Sequence, residues 1–222
     1  MRQKDLIWVA ILAAIVAFII FPVTNAVFIK TTEQCPLLMG FIKFSILATM
    51  GELLGIRISK RQWIKPIGMG YRVIVWGFIG IVTVFVFNIF PSGVKNLIAT
   101  NLLPSFANNV LSVALAAFFT SAFMNLLFGP TLMLFHKIMD ALIEAGHGTW
   151  KEMRSVTLDQ VVLAIDWNNY IKFIVLKTIP IFWIPAHTIV FMLPGNYRII
   201  VAAFLSLALG VILTFATKSK HN

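Results

Sequence analysis

The chain reads as an all-α, polytopic transmembrane helix bundle of about six spans with both termini in the cytoplasm. Three observations carry this reading. Of 222 residues, 59% are hydrophobic and only 12% charged, about half the charge of an ordinary soluble domain. The apolar residues gather into six long runs, each near the roughly 20 residues a helix needs to cross a bilayer. The lysines and arginines between the runs are unevenly divided, as the positive-inside rule requires. A single transmembrane domain over 1–222 follows.

The first run, Leu6–Ile29, follows Met1-Arg2-Gln3-Lys4. Thr24-Asn25-Ala26 resembles a signal cleavage site. The run is long for a signal, however, and Asp5 lies in its charged part, so an uncleaved span is the reading. Leu37–Ile58, Met69–Phe90, Asn109–Phe135, Trp167–Met192 and Tyr197–Thr217 complete the set. Backbone polar groups must be satisfied within lipid, which makes each run helical. Their continuity excludes the alternating strands of a barrel. Pro91–Asn108, with Pro91, Gly93 and Pro104, reads as an irregular outer connector. Ala141–Asp166 reads as the longest cytoplasmic loop, with a turn at Gly146-His147-Gly148. Thr149–Ile165 is expected to form one helix on the membrane surface, anchored by Trp150.

With six spans, twelve lysines and arginines, Arg72 among them, fall on the side of the termini. Lys30, Lys95 and Arg198 fall on the other. Lys43, Lys172 and Lys177 lie inside runs. This division accounts for the net charge of +10 through the lipid bilayer as partner, without nucleic acid. The lone cysteine, Cys35, excludes an intrachain disulfide and a cysteine-rich zinc site. It reads as a small apolar residue near a helix end.

Five polar residues stand out as pore or polar-network candidates. Glu52 is the one acid inside a run, roughly 9 Å from its inner end, and Lys177 lies roughly 15 Å into the fifth run, at 1.5 Å per residue. Charges at such depth face a partner or a water-filled cavity, or they snorkel. The first reading pairs Glu52 with Lys177, while Lys43 and Lys172 snorkel. Pro180 and Pro185 each remove a helix hydrogen bond, so the fifth helix is expected to be broken. His187, just beyond, either contacts a solute or satisfies a freed carbonyl. Pro130 is expected to kink the fourth helix. His136 and Asp140 are four apart on one face and within hydrogen-bond reach. Arg198 either snorkels or binds a phosphate or a carbonyl. Ala202, Ala203, Ser206 and Gly210 permit close helix approach, within the chain or in a homo-oligomer.

Catalytic constellations are missing. The histidines form no metal-ligand pattern, and neither a phosphate loop nor a nucleophile elbow occurs. The chain therefore reads as a non-enzyme with no metal and no cofactor.

Several motifs occur in a recognisable order. Gly129-Pro130 is followed by Phe135-His136-Lys137-Ile138-Met139-Asp140, then by Gly148-Thr149 and Leu158-Asp159-Gln160. Trp183, Pro185, Phe191, Leu193-Pro194, Tyr197-Arg198 and Leu213-Thr214 come after, and Met50-Gly51-Glu52 precedes them. This order resembles the Mpv-seventeen/PMP-twenty-two family of mitochondrial inner-membrane and peroxisomal membrane proteins, over about 129–217. The resemblance implies a membrane protein of a family proposed to form weakly selective pores. There is no Arg-rich presequence, and the charge bias is strong, so a bacterial-type plasma-membrane protein is expected. The expected function is a small channel or permease for ions or small metabolites; the alternative is a non-transporting structural or stress-related membrane protein.

Overall fold

The computed structural model describes residues 3–104 and 109–218, the backbone alone at 109 and 209–218. No strand occurs among the described residues. Five helical stretches are long and apolar enough to cross a membrane: Gln3–Ile20, Pro36–Lys60, Met69–Ala99, Val110–Ala145 and Trp167–Met192. A shorter apolar stretch, Gly195–Ala208, belongs to the last helix.

The run expected as one span at Leu6–Ile29 is two helices, α1 (Gln3–Ile20) and α2 (Pro22–Gln34). Proline disfavours helical geometry in the residue before it, and Phe21 is extended at φ −67°, ψ 127°. The carbonyls freed by this break are not left bare. Thr24 Oγ1 donates to Phe18 O at 2.5 Å and Asn25 Nδ2 to Ile19 O at 2.6 Å. No residue of α1 is buried. The helix is tied to α3 (Pro36–Lys60) by Trp8 Nε1 donating to Met50 O at 3.3 Å and by Arg57 on Asp5 at 2.8 Å. Cys35 separates α2 from α3, immediately before Pro36, and is exposed.

Helix α4 (Met69–Ala99) continues through Pro91 and overturns the expected connector at Pro91–Asn108 as far as Ala99. At 1.5 Å per residue its 31 residues span about 46 Å, against a hydrocarbon core of about 30 Å. The apolar run marked the extent of lipid, and the helix outlasts it with Val94 still 2% exposed. Residues 105–108 of the expected connector lie outside the described residues.

Helix α5 (Asn109–Phe123), a π-helical turn (Met124–Phe128) and α6 (Gly129–Ala145) follow one another without interruption. The expected irregularity at Pro130 takes the form of this π turn, directly before the Gly129-Pro130 start of α6. The helix runs ten residues past the expected end at Phe135, so Asp140 and Glu144 are helical. The turn at Gly146–Gly148 is present, with positive φ at His147 and Gly148. The single surface helix expected over Thr149–Ile165 is instead two short ones, α7 (Trp150–Met153) and α8 (Leu158–Ala164). A capping box between Thr157 and Gln160 starts the second, and such a box nucleates a fresh helix rather than extending an old one.

The fifth run is continuous, not broken. After α9 (Trp167–Asn169) it is π-helical over Tyr170–Trp183, then forms α10 (Ile184–Met192). The wider turn accommodates Pro180. Pro185 lies at the junction of the π-helical stretch and α10, within a continuous helix, so its absent N–H leaves a carbonyl of the preceding turn without its helical donor. Hydroxyl groups serve the carbonyls here: Thr178 donates to Phe173 O at 2.9 Å, and Ser121 and Thr188 both to Ile184 O at 2.7 Å.

Helix α3 packs centrally against α4 and α11 (Gly195–Lys218). Glycine permits both approaches. A Cβ on Gly40 would lie 2.8 Å from Gly80 O of α4, and one on Gly51 would lie 2.7 Å from Ser206 O of α11. Without a hydrophobic drive between helices in lipid, such close backbone packing is a main source of association. Ala202, Ala203 and Ser206 are buried within the chain; the Gly210 side of α11 lies beyond the described side chains.

Candidate functional site

One arginine organises the end of the bundle where α3, α4 and α6 meet. Arg72, in the first turn of α4, is 5% exposed. Its Nη1 donates to Glu52 Oε1 at 2.8 Å and to Asp140 Oδ1 at 2.7 Å. Its Nη2 donates to Glu144 Oε1 at 2.8 Å, and its Nε to Ile67 O at 3.0 Å. A guanidinium presents a rigid planar fork of donors that suits several carboxylates at once. The Glu52 and Asp140 bonds are charge-assisted and largely sheltered, hence strong. Glu144 has a side chain 64% exposed and adds little.

Two rings complete the arrangement. Trp76, one turn beyond Arg72, donates from Nε1 to Glu52 Oε2 at 3.0 Å. His136 lies against the Trp76 ring at 4.2 Å between centroids, with Nδ1 3.3 Å from Asp140 Oδ2. The expected reach between His136 and Asp140 is therefore present. Glu52 is held in the interior, but by Arg72 and Trp76 rather than by Lys177.

Lys177 is exposed and sits 6.0 Å from the Phe173 ring, which corrects the expected pair. Depth alone could not show this, since it says nothing of which way a side chain faces, and Lys177 faces away from the interior. Lys172 is exposed as well. Lys43 reverses its expected snorkelling. It is 4% exposed, donates to Thr32 Oγ1 at 2.9 Å and lies 4.4 Å from the Phe28 ring centroid. Arg198 donates to Leu193 O at 2.9 Å, thereby serving a carbonyl next to Pro194.

A cavity lies beside the network. It offers about 80 Å³ to the centre of a water-sized sphere and is lined by residues of α3, α4, both π-helical segments, α6, α10 and α11. Trp76 lines one end and Phe87 the other, about 16 Å apart along α4 at 1.5 Å per residue. At the Phe87 end, His187 meets the edge of Phe87 at 5.7 Å and stacks on Trp183 at 5.0 Å. Its Nδ1 lies 3.1 Å from the Asn125 side chain. His187 thus lines the chamber, whereas His136 does not but packs on the Trp76 ring that walls it; each imidazole lies against a tryptophan.

Sequence reasoning missed Arg72, Trp76, Asn125 and Trp183 as parts of this site. Arg72 and Trp76 are four apart on α4, a spacing that places them on one face. No group of three or more His, Cys, Asp or Glu residues among the described residues is placed to hold a metal. No family model, curated protein or solved structure matches the chain.

Proposed function

We propose that this chain is a small multi-pass permease of the plasma membrane, passing small solutes through the chamber between Trp76 and Phe87. The observation that carries the reading is the double role of Trp76, which both walls the chamber and bonds to Glu52 of the ion-pair network. Loosening the network would move the wall. The cytoplasmic face is assigned to the network end by the lysines and arginines around it. The motif order shared with the Mpv-seventeen/PMP-twenty-two family agrees with a pore-type function.

The Glu144–Arg72 pair is the exposed member of this network and the easiest to weaken without unfolding the bundle. In liposomes assayed by shrinking and reswelling with glycerol, urea and acetamide, Glu144→Gln is expected to raise flux about two- to fivefold. That is the factor matching ~0.5–1 kcal/mol of lost closed-state stabilisation. Folded wild type and Glu144→Gln that both leak no faster than empty liposomes would overturn the permease reading.

A non-transporting structural protein is the second reading. It is favoured by the saturation of Arg72, which bonds with every one of its three nitrogens and so bolts three helices together. On that reading Glu144→Gln lowers stability slightly and leaves flux unchanged.

A further inference from the structure

At the end of the bundle where α1 begins and α3 stops, a cleft offers about 380 Å³ to the centre of a water-sized sphere and is lined by Gln3, Lys4, Gln62 and Trp63. Gln3, Lys4 and Gln62 are exposed, so their side chains can be reached from outside the bundle. The residue next to Lys4 pins the two walls together. Asp5 Oδ1 accepts from Arg57 Nε at 2.8 Å and from Trp63 Nε1 at 2.7 Å, and its Oδ2 accepts from Arg57 Nη2 at 3.0 Å. The Trp63 ring also lies 6.4 Å from that of Trp8. The far end of the loop is held as well, by Arg72 Nε donating to Ile67 O. Walls fixed in advance lose little freedom when a ligand arrives.

Charge around the cleft is one-sided. Asp5 is matched by Arg57, and no acid occurs in the sequence between Glu52 and Asp140. Lys4 lines the cleft, and Lys60, Arg61 and Lys65, all exposed, lie within two residues of Gln62 or Trp63. Lys4 and Lys60 stand at the ends of two helices long and apolar enough to cross a membrane, which is where lipid headgroups lie. Leu6, Ile7, Ile64 and Ile67 adjoin these cations in the chain and are exposed. Basic residues clustered directly beside a span attract anionic headgroups, and apolar side chains among them add a preference for a lipid over a free phosphate.

We propose that this cleft holds the headgroup of an anionic phospholipid. The phosphate accepts from the Lys4 ammonium and from the side-chain amides of Gln3 and Gln62. Lys60, Arg61 and Lys65 draw it in, and its chains follow α1 and α3 into the bilayer. The inference does not depend on solute passage, and a protein that transports nothing keeps it.

The test uses the full chain in detergent, with native mass spectrometry counting bound lipids as dioleoyl phosphatidylglycerol or dioleoyl phosphatidylcholine is added. The two share their chains and a phosphate and differ in net charge. The first phosphatidylglycerol is expected to be held roughly threefold to tenfold more tightly than the first phosphatidylcholine. Lys4→Gln combined with Lys60→Gln is expected to bring the two affinities within about twofold of each other. Lys95→Gln, near the opposite end of α4 and exposed, is expected to leave the preference intact. Should the double variant lose helix by circular dichroism, Lys4→Gln alone decides, with the preference expected to fall by about half or more. Glycerol phosphate, which carries the phosphate without chains, is expected not to compete at equal concentration. Equal affinity for the two lipids, or a preference that survives the lysine substitutions, overturns the proposal. Effective competition by glycerol phosphate makes the cleft a free-phosphate site and overturns the lipid assignment.

Discussion

Arg72→Gln is expected to be the most damaging single substitution in the chain, costing about 3–5 kcal/mol. The variant would leave Glu52 and Asp140 facing each other across a sheltered site, with side chains only 16% and 24% exposed, and no cation between them. Removing one partner of a buried pair costs far more than the pair contributes net, because the remaining charge keeps its desolvation penalty. Three helices would lose their common bond at once. Arg72→Lys is expected to rescue little, since an ammonium is a point donor without the planar fork that reaches several carboxylates. The combination Arg72→Gln with Glu52→Gln and Asp140→Asn should be more stable than Arg72→Gln alone, a non-additivity diagnostic of direct coupling. Unfolding of purified protein in detergent, followed by tryptophan emission, measures each. An Arg72→Gln variant as stable as wild type would remove the network from any account of this bundle.

The second large effect is expected where α3 crosses α4. A Cβ on Gly80 would collide with the Gly40 backbone carbonyl and lie 2.8 Å from Phe44 Cβ. Backbone cannot swing aside as the tip of a side chain can, so even Gly80→Ala must push the helices apart. Overpacking of this kind costs about 1–3 kcal/mol, and Gly80→Leu should exceed that. Helix α4 carries its own control. Gly93 has nothing within 4 Å of a built Cβ, so Gly93→Ala is expected to be neutral or to stabilise by up to ~1 kcal/mol through helix propensity. Equal melting of Gly80→Ala and Gly93→Ala would show that the crossing is slack.

How far the sequence predicted this structure depended on what hydropathy measures. It reports where lipid is, so the cores of α3 and α4 were legible. The ends were not, because a helix leaving lipid remains hydrogen-bonded: α4 runs past Pro91 and α6 past Phe135. Pro180 and Pro185 signalled an irregular backbone, but the sequence did not show that the chain widens into a π-helical stretch instead of breaking, nor that Ser121, 63 residues away, bonds the Ile184 carbonyl beside Pro185. Glu52 was legible as a buried acid by depth alone. Its partner was not, since Arg72 looked like one more cytoplasmic charge and its carboxylates lie 20, 68 and 72 residues away. Lys43 shows the same limit in reverse. Its burial comes from Phe28 and Thr32 of α2, which the break at Cys35 sets against α3. The buried indole N–H of Trp183, which has no hydrogen-bond partner, had no sequence signal, because an unmade bond is a property of the surroundings.

The placement of tryptophans at both ends of the chamber has a practical consequence for optical spectroscopy. Trp76 and Trp183 are the indoles in its walls, each in contact with an imidazole ring. Trp150 and Trp167 are exposed and do not line the chamber. With Trp8, Trp63, Trp150 and Trp167 all replaced by phenylalanine, the two wall indoles would remain as intrinsic reporters, and a change in the chamber would be read from their emission without an attached dye.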